Sequence, residues 1–370
     1  MDNEHPQVDN ENTKYSIFSV STYPQPIIIF LDYSFFIKNR LDNNKMLWTK
    51  HRVKFVPLHE KAFKPMQGLS ILIPVYCDSC VEQVKELYHQ CRGLQMPWEI
   101  VVADDGSPAS SASVNDAVAG IDHCRLIKYP ENIGRAAIRN FLAHQACFDT
   151  LIYIDAGMMP SARFIAVYVE YIGKAEVVVG SLKVDENHID RSNLRCKNEL
   201  RAERKSSVQK RNQNPYTNFH SGNFMIRRQT MLDHPFRGEI KTYGYEDTLF
   251  GKGLAEKHVS ILHIDNPLYF VRFEPNARYL EKTREAMLTL YTYREELQGY
   301  SGLLTLVSRL QRWHLLRITM WITMWITRLT KDAVTQRLSG NHPRLWLYNI
   351  YRICCLSMHY MQDSKYQIED

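Results

Sequence analysis

An α/β fold built on a mostly parallel sheet is the class this sequence predicts, and three observations predict it. Apolar runs of strand length alternate with segments of helical spacing, the links between them are short, and polar or glycine-bearing turns follow the strands. In such sheets ligands bind beyond the carboxyl ends of the strands, so the turns are where chemistry is sought.

The first element is Leu69–Val75, a continuous apolar run of the kind that buried parallel strands carry. Ser79 and Glu82 form a capping box, and Val81, Val84, Leu87, Tyr88 and Cys91 follow at helical spacing. A strand over Glu99–Ala103, a Ser/Ala-rich helix near 110–120 and a strand over Arg125–Tyr129 come next. A helix over Arg135–Cys147, a strand over Leu151–Ile154, a helix over Ser161–Ile172 and a strand over Glu176–Ser181 complete the series. Residues 185–214 interrupt it with dense charge and few apolar side chains, which reads either as a solvated loop or helix or as a lid over an anionic ligand. Phe224–Arg228 reads as a strand, an amphipathic stretch starts at Thr248, and the chain is helical from about Arg278. The first dozen residues are polar, and Pro24, Pro26 and Pro57 break aromatic fragments, so no periodic element is expected before Met66, a candidate for the true start of translation. Three segments are thus expected: an extension (1–66), an α/β domain (67–282) and a basic helical region (283–370).

Composition excludes several classes. The 370 residues are 45% hydrophobic and 23% charged, which suits neither a disordered chain nor a coiled coil. Apolar stretches fall short of the ~20 residues a spanning helix needs, and a signal-peptide cleavage pattern is lacking, so a cytoplasmic protein is expected. The eight cysteines fit no disulfide framework and read as reduced thiols. Cys77-Asp78-Ser79-Cys80 is a lone CxxC, more simply a turn than a zinc or redox site. The net charge of +6 is concentrated: residues 301–360 hold eight Arg and Lys against one acid, Asp332. That segment also holds the tandem ITMW-ITMW-IT (318–327), which suits a helix lying on an anionic membrane face or a helical hairpin packed on the domain. Nucleic-acid binding is not expected, because no recognised motif accompanies the charge.

Four segments hold candidate chemistry. Asp104-Asp105-Gly106-Ser107 follows a strand and suits either hydrogen bonding to a base or ribose or an Asx-type turn. Arg135 and Arg139 share a helix face, for a phosphate or simply for solvent. Asp155-Ala156-Gly157 closes another strand, and Tyr243-Gly244-Tyr245-Glu246-Asp247 sets two acids after a glycine–aromatic turn.

None of these is specific alone, but their order and spacing are. From about Gln67 to Lys282 the sequence resembles the family 2 glycosyltransferases of the GT-A fold, particularly bacterial enzymes that build surface polysaccharides. The matching segments are SILIPVY (70–76), EIVVADDGS (99–107), ENIGRAAIRN (131–140), the DxD position (155–157), SGNFMIRR (221–228), YGYED (243–247) and HIDNPLY (263–269). The resemblance implies an inverting transfer of a sugar from a nucleotide-sugar donor, most simply a UDP-sugar, to a hydroxyl of a glycan or lipid-linked acceptor. Pro74, Tyr76, Asp104, Asp105, Arg139 and Asp155 would hold the donor, with Asp104 supporting its turn. Asn223 and Tyr245 would face the acceptor, Asp247 would be the general base and Glu246 would orient the acceptor.

The sequence also departs from the family pattern. The family's DxD holds Mn²⁺ or Mg²⁺ through its third position, which here is Gly157, with no ligand atom. That leaves Asp155, with His263 as a possible helper, to hold a metal; a histidine at a strand end is equally a structural residue. Related sequences often have His and Gly where this chain has Phe270 and Arg272, and Arg272 is a charge that would stand in for the metal. A rearranged metal site, a metal-independent transferase and an inactive nucleotide-sugar-binding or scaffold homologue are the outcomes left open. A nucleotidyltransferase is disfavoured because Tyr76-Cys77-Asp78-Ser79 is not a phosphate-binding glycine loop.

Overall fold

A computed structural model describes residues 36–41, 45–50, 66–312 and 333–366, with side-chain surroundings for 67–309 and 333–360. Two compact units divide at Phe63/Lys64. In the first, β1 (Phe36–Leu41) pairs antiparallel with β2 (Lys45–Lys50), a hairpin that the reading of residues 1–66 did not anticipate. Between the strands the sequence is Asp-Asn-Asn, turn-forming residues whose signal is local rather than periodic.

The second unit holds an eight-stranded sheet in which five parallel-sheet strands alternate with helices as expected. Its strands are β3 (Met66–Val75), β4 (Trp98–Asp104), β5 (Cys124–Lys128), β6 (Phe148–Ile154), β7 (Met158–Pro160), β8 (Val177–Val184), β9 (Asn223–Arg227) and β10 (Ile261–Phe270). Their order is β5-β4-β3-β6-β9-β8-β10-β7. The β3–β4, β3–β6, β4–β5 and β8–β10 pairs are parallel. Strand β9 runs antiparallel to both neighbours, and β7 runs antiparallel to β10. This is the mixed, helix-flanked sheet of the GT-A class.

One face packs on α1 (Val81–Cys91) and α4 (Phe164–Glu170), through Val84, Leu87, Phe164 and Tyr168. The other packs on α3 (Arg135–Gln145), α7 (Arg228–Asp233) and α8 (Glu246–Glu256). Leu69, Ile71, Leu72 and Ile73 of β3 are all fully buried, each such side chain contributing about 1.5–3 kcal/mol. A polar pin joins three strands: Ser70 Oγ and the Cys147 amide donate to Glu99 Oε1 (2.7 and 2.6 Å), and Arg125 Nη2 donates to Glu99 Oε2 (2.9 Å).

Three readings change. The helix near 110–120 is one α turn, α2 (Ala109–Ala112), running into a 3-10 stretch over Ser113–Gly120. The buried Asn115 amide holds that stretch by accepting from the Cys80 amide and donating to the Asp78 carbonyl. The charged segment 185–214, read as a solvated loop or helix or as a lid, narrows to helix: it forms α5 (Leu194–Lys205) and α6 (Val208–Gln213), each N-capped by a side chain, Asn193 and Ser207, with Leu194, Cys196 and Arg211 buried. Finally, β7 was not foreseen; it is three residues long and ends in proline.

Beyond the sheet, α9 (Asn276–Thr292), α10 (Gly302–Arg312) and α11 (Leu345–Tyr366) follow. They share an apolar cluster with Leu280, Leu290, Leu304, Val307, Tyr348 and Leu356 buried. The tandem repeat 318–327 lies outside the described residues.

Candidate functional site

The first wall is the Asp-Asp-Gly-Ser turn after β4. The Asp105 amide bonds the Val75 carbonyl, and the Cys77 amide donates to Ser107 Oγ (2.8 Å), so the turn is tied to the end of β3. Asp104 is buried and accepts from the Ser107 amide (2.8 Å), which is the turn-supporting role expected of it. Gly106 has φ +68°, and a Cβ there would meet the backbone of Glu131 at 2.3 Å, so the residue-131 loop crosses where only glycine fits.

Asp105 is committed in a way the sequence did not suggest. Its carboxylate accepts from the amides of Ile133 (2.8 Å) and Gly134 (3.1 Å), and the residue is buried. Burial raises its pKa, against the pull of the two amides. The expected contact with a base is therefore corrected: Asp105 lashes the loop before α3 to the turn. Tyr76, by contrast, is 49% exposed just beyond the end of β3, and Pro74 lies on β3 alongside Ala103.

The centre of the site is a cluster of guanidinium and carboxylate groups where the carboxyl end of β6 meets the first turns of α3 and α8. Arg139 is 1% exposed, not the solvated partner of a surface pair. Its Nη2 donates to Asp155 Oδ1 (2.5 Å) and its Nη1 to the Arg135 carbonyl (2.9 Å). Burial alone would raise the Asp155 pKa, but Arg139, Arg135 and Arg195 hold it below the usual carboxylate value. Gln83 of α1 donates to the Asp155 carbonyl (2.9 Å).

Arg135 reaches the other way. Its Nη1 lies 3.0 Å from Glu246 Oε1, and its guanidinium sits 4.6 Å over the Tyr243 ring. Burial opposes its charge, but Glu246, Tyr243 and Asp155 outweigh that and hold its pKa above the ordinary arginine value. Glu246 is 2% exposed, and its Oε2 is buried with no partner, as is Nε of Arg139. Asp247 follows in the first turn of α8, its Oδ1 accepting from the Thr248 amide (2.7 Å). Burial first, and the Glu246 charge second, raise its pKa to about 6.

The Tyr-Gly-Tyr turn that aims these acids is strained and locked. Gly244 has φ +96°, and a Cβ there would meet Ala286 Cβ of α9 at 2.7 Å. Tyr245 is left-handed at φ 66°. Its hydroxyl interacts with Ser301 and Arg352, so it packs toward the C-terminal helices rather than lining an acceptor channel as expected.

Two further expectations are corrected. Asn223 is fully buried and spends its amide internally: Nδ2 donates to the Ser181 and Asn266 carbonyls (both 2.9 Å), and Oδ1 accepts from the Tyr168 hydroxyl (2.6 Å). It ties β8, β9, β10 and α4 together and does not face a sugar. His263 lies on β10, with β9 and β8 between it and the strand of Asp155. It is buried, with Nε2 2.9 Å from the Pro215 carbonyl and Nδ1 3.3 Å from Arg211 Nη1. It backs a separate cleft of about 730 Å³ between α5–α6 and the ends of β8 and β10. Burial lowers its pKa to about 4, so it is a neutral structural imidazole.

The residues present do not fit the divalent metal that the resemblance implied. Asp155 is engaged by Arg139, Gly157 offers no donor, and His263 is not brought to them. Among the described residues no group of three or more His, Cys, Asp or Glu could hold a metal ion. None of the eight cysteines is in a disulfide; burial pushes the thiols of Cys80, Cys91 and Cys124 up to about 12, and Cys77 is exposed.

Sequence reasoning missed Tyr243 as more than a motif letter. Its ring meets the guanidinium of Arg135 and also Lys282, whose Nζ is 5.5 Å from the ring centre. It also missed Arg195, which reaches the cluster from α5, ion-pairs with Glu274 (3.0 Å) and stacks on Phe270. The density of arginine in 185–214 was the signal.

The fold is of the GT-A class, and residues 70–235 match the family model described as Glycosyl transferase family 2. The mannosyltransferase PcManGT from Pyrobaculum calidifontis, solved in complex with GDP-Man and Mn2+, superposes with a TM-score of 0.52 at 13% identity, over 82% of this chain and 91% of that one. An undecaprenyl-phosphate 4-deoxy-4-formamido-L-arabinose transferase of Pseudomonas paraeruginosa (strain DSM 24068 / PA7) is 32% identical over 123 residues, 32% of this chain and 36% of that protein. The protein of the same name from Pectobacterium carotovorum subsp. carotovorum (strain PC1) is 28% identical over 124 residues, 38% of its length. This chain thus spans well under half the length of these curated relatives.

Proposed function

We propose that the protein is an inverting glycosyltransferase that moves a sugar from a nucleotide-sugar donor to a hydroxyl of a glycan or lipid-linked acceptor, in polysaccharide biosynthesis. The observation that carries this reading is Asp247: a carboxylate with its pKa raised to about 6, in the helix turn that faces the Arg139–Asp155 pair. A general base works best with a pKa near the working pH, and this one is ionised at neutrality yet basic enough to take a proton.

In this reading the acceptor hydroxyl gives its proton to Asp247 as its oxygen attacks the anomeric carbon. The bond to the nucleoside diphosphate breaks on the opposite face, so configuration inverts. Glu246, held by Arg135, offers its unpartnered Oε2 to orient the acceptor. Arg139 fixes Asp155 at the donor side, and Tyr76 stacks on the base, most simply that of a UDP-sugar. Hexosyl and N-acetylhexosaminyl transfer both fit. The names of the relatives, which concern an undecaprenyl-phosphate acceptor, support a lipid-linked acceptor here, with the protein peripheral to the inner face of the cytoplasmic membrane.

Replacing Asp247 with Asn should lower turnover by about 10²–10⁴, with donor binding retained in calorimetry. Proton NMR of the product should show the anomeric configuration opposite to the donor's. A second reading, a nucleotide-sugar-binding or scaffold homologue, draws on Gly157; it predicts donor binding with no turnover by the unsubstituted protein for any donor and acceptor tried.

A further inference from the structure

The space where a DxD motif would place its third side chain is filled. Gly157 has φ +76°, and a Cβ built on it would lie 2.6 Å from Asp78 Oδ2 and 2.7 Å from Arg272 Nη2. Neither distance is one real Cβ atoms adopt, so a side chain could enter only if this pair shifted, and the left-handed φ would strain it as well. The pair is organised: Arg272 Nη2 forms an ion pair with Asp78 Oδ1 and donates to the Ser79 carbonyl (2.7 Å). The fold brings them together. Phe270 of β10 pairs with Met158 of β7, which sets Arg272 against Gly157, and Asp78 follows β3, beside β6 in the sheet. All three residues lie beyond strand ends, on the ligand side of the sheet.

We propose that the Arg272 guanidinium, seated in the space that Gly157 leaves and oriented by Asp78, replaces the divalent cation as the group that binds the donor's diphosphate. The inference rests on the transferase reading of the site and names how that site handles leaving-group charge. Arginine suits this role because it is a planar fork that bonds phosphate oxygens in pairs, and because its charge persists at any working pH. Asp78 and Ser79 occupy only Nη2, while Nη1 and Nε have no hydrogen-bond partner among the described residues and the side chain is 52% exposed. A free edge of the fork is therefore open to a ligand. The donor set agrees, because the two carboxylates near Gly157, Asp78 and Asp155, are each already neutralised by a guanidinium, Arg272 and Arg139. Asp78 is a positioning residue, since it acts through Arg272.

Calorimetry with UDP, GDP and the matching monophosphates, in EDTA and again in Mn²⁺ or Mg²⁺, tests this on the full chain. One diphosphate is expected to bind in EDTA, with Kd changing less than about threefold on adding metal. Arg272→Ala should weaken that binding by about tenfold to a hundredfold, as loss of charge-assisted hydrogen bonds does, and monophosphate binding far less. Arg272→Lys should recover part of the loss, and an unchanged thermal midpoint excludes misfolding. Diphosphate binding that requires Mn²⁺ and is indifferent to Arg272→Ala overturns the inference and leaves the transferase reading standing. Failure of every diphosphate to bind, with or without metal, overturns both.

Discussion

At the scale of single residues, most side chains near the cluster are already in use, and this decides which can meet a substrate. Asp105 and Asn223 spend every accepting or donating atom on backbone or on Tyr168, whereas Glu246 retains a free buried oxygen. A buried polar atom without a partner costs about 1–3 kcal/mol, so its persistence at the cluster suits an atom kept for a ligand. The raised pKa of Asp247 predicts an acid limb in kcat/KM with an apparent pKa near 6. Replacing Glu246 with Gln removes a neighbouring negative charge, and the limb should move to lower pH. A limb that stays in place would exclude coupling between the two acids. The same shift affects stability with a definite sign: the contribution from Asp247 is full below its ordinary value of 3.8 and is lost as pH rises through about 6.

At the scale of elements, two devices hold the site's walls in register. The Glu99 carboxylate joins β3, β4, β5 and the entry to β6 through four donors. Glu99→Ala strands the Arg125 charge and the buried Ser70 hydroxyl, and should cost about 3 kcal/mol in denaturant unfolding. The second device is the contact of Gly244 with Ala286. Gly244→Ala adds a methyl group into α9 at a left-handed φ, which should cost about 1–3 kcal/mol and misaim Glu246 and Asp247. Turnover is expected to fall more than donor affinity, since the donor side does not rest on that turn. The elements themselves were legible where a period existed. The β3 strand and the helices α1 and α3 follow from apolar spacing alone, but β7 is too short to show a period, and the 3-10 stretch after α2 depends on Asn115, whose partners lie 35 and 37 residues away.

For the whole molecule, charge and apolar surface point the same way. Residues 301–360 carry a net seven positive charges, so the rest of the chain is close to neutral. The described part of this region packs one side against α9, burying Tyr348, Tyr351 and Leu356, and leaves Trp346 57%, Leu306 41% and Ile350 38% exposed. Among the described residues no helix is long and apolar enough to cross a membrane. Surface attachment through the C-terminal region is a proposal that rests on this charge and these exposed apolar side chains. Full-length protein should sediment with vesicles containing phosphatidylglycerol and not with phosphatidylcholine alone, and lose binding as salt rises from 50 to 500 mM, values chosen to span the screening range (roughly 14 to 4 Å Debye length). Equal partition to both vesicle types would exclude an electrostatic contact.

The sequence by itself determined the alternation of strands and helices, the order of the motifs and the absence of a side chain at residue 157, because each is written in local spacing or in a single letter. It also placed Arg139, Asp155, Glu246 and Asp247 as candidates, and the structure assembles those four around one centre. Only the tertiary structure decided what fills the space at Gly157. Asp78 and Arg272 stand 194 residues apart, and strand pairing at β3–β6 and β7–β10 brings their side chains to the same glycine. The same holds for Asp105, Asn223 and His263, whose roles depend on partners that no spacing reveals, since a carboxylate or amide reads alike in sequence whether its hydrogen bonds go to a ligand or to the chain itself.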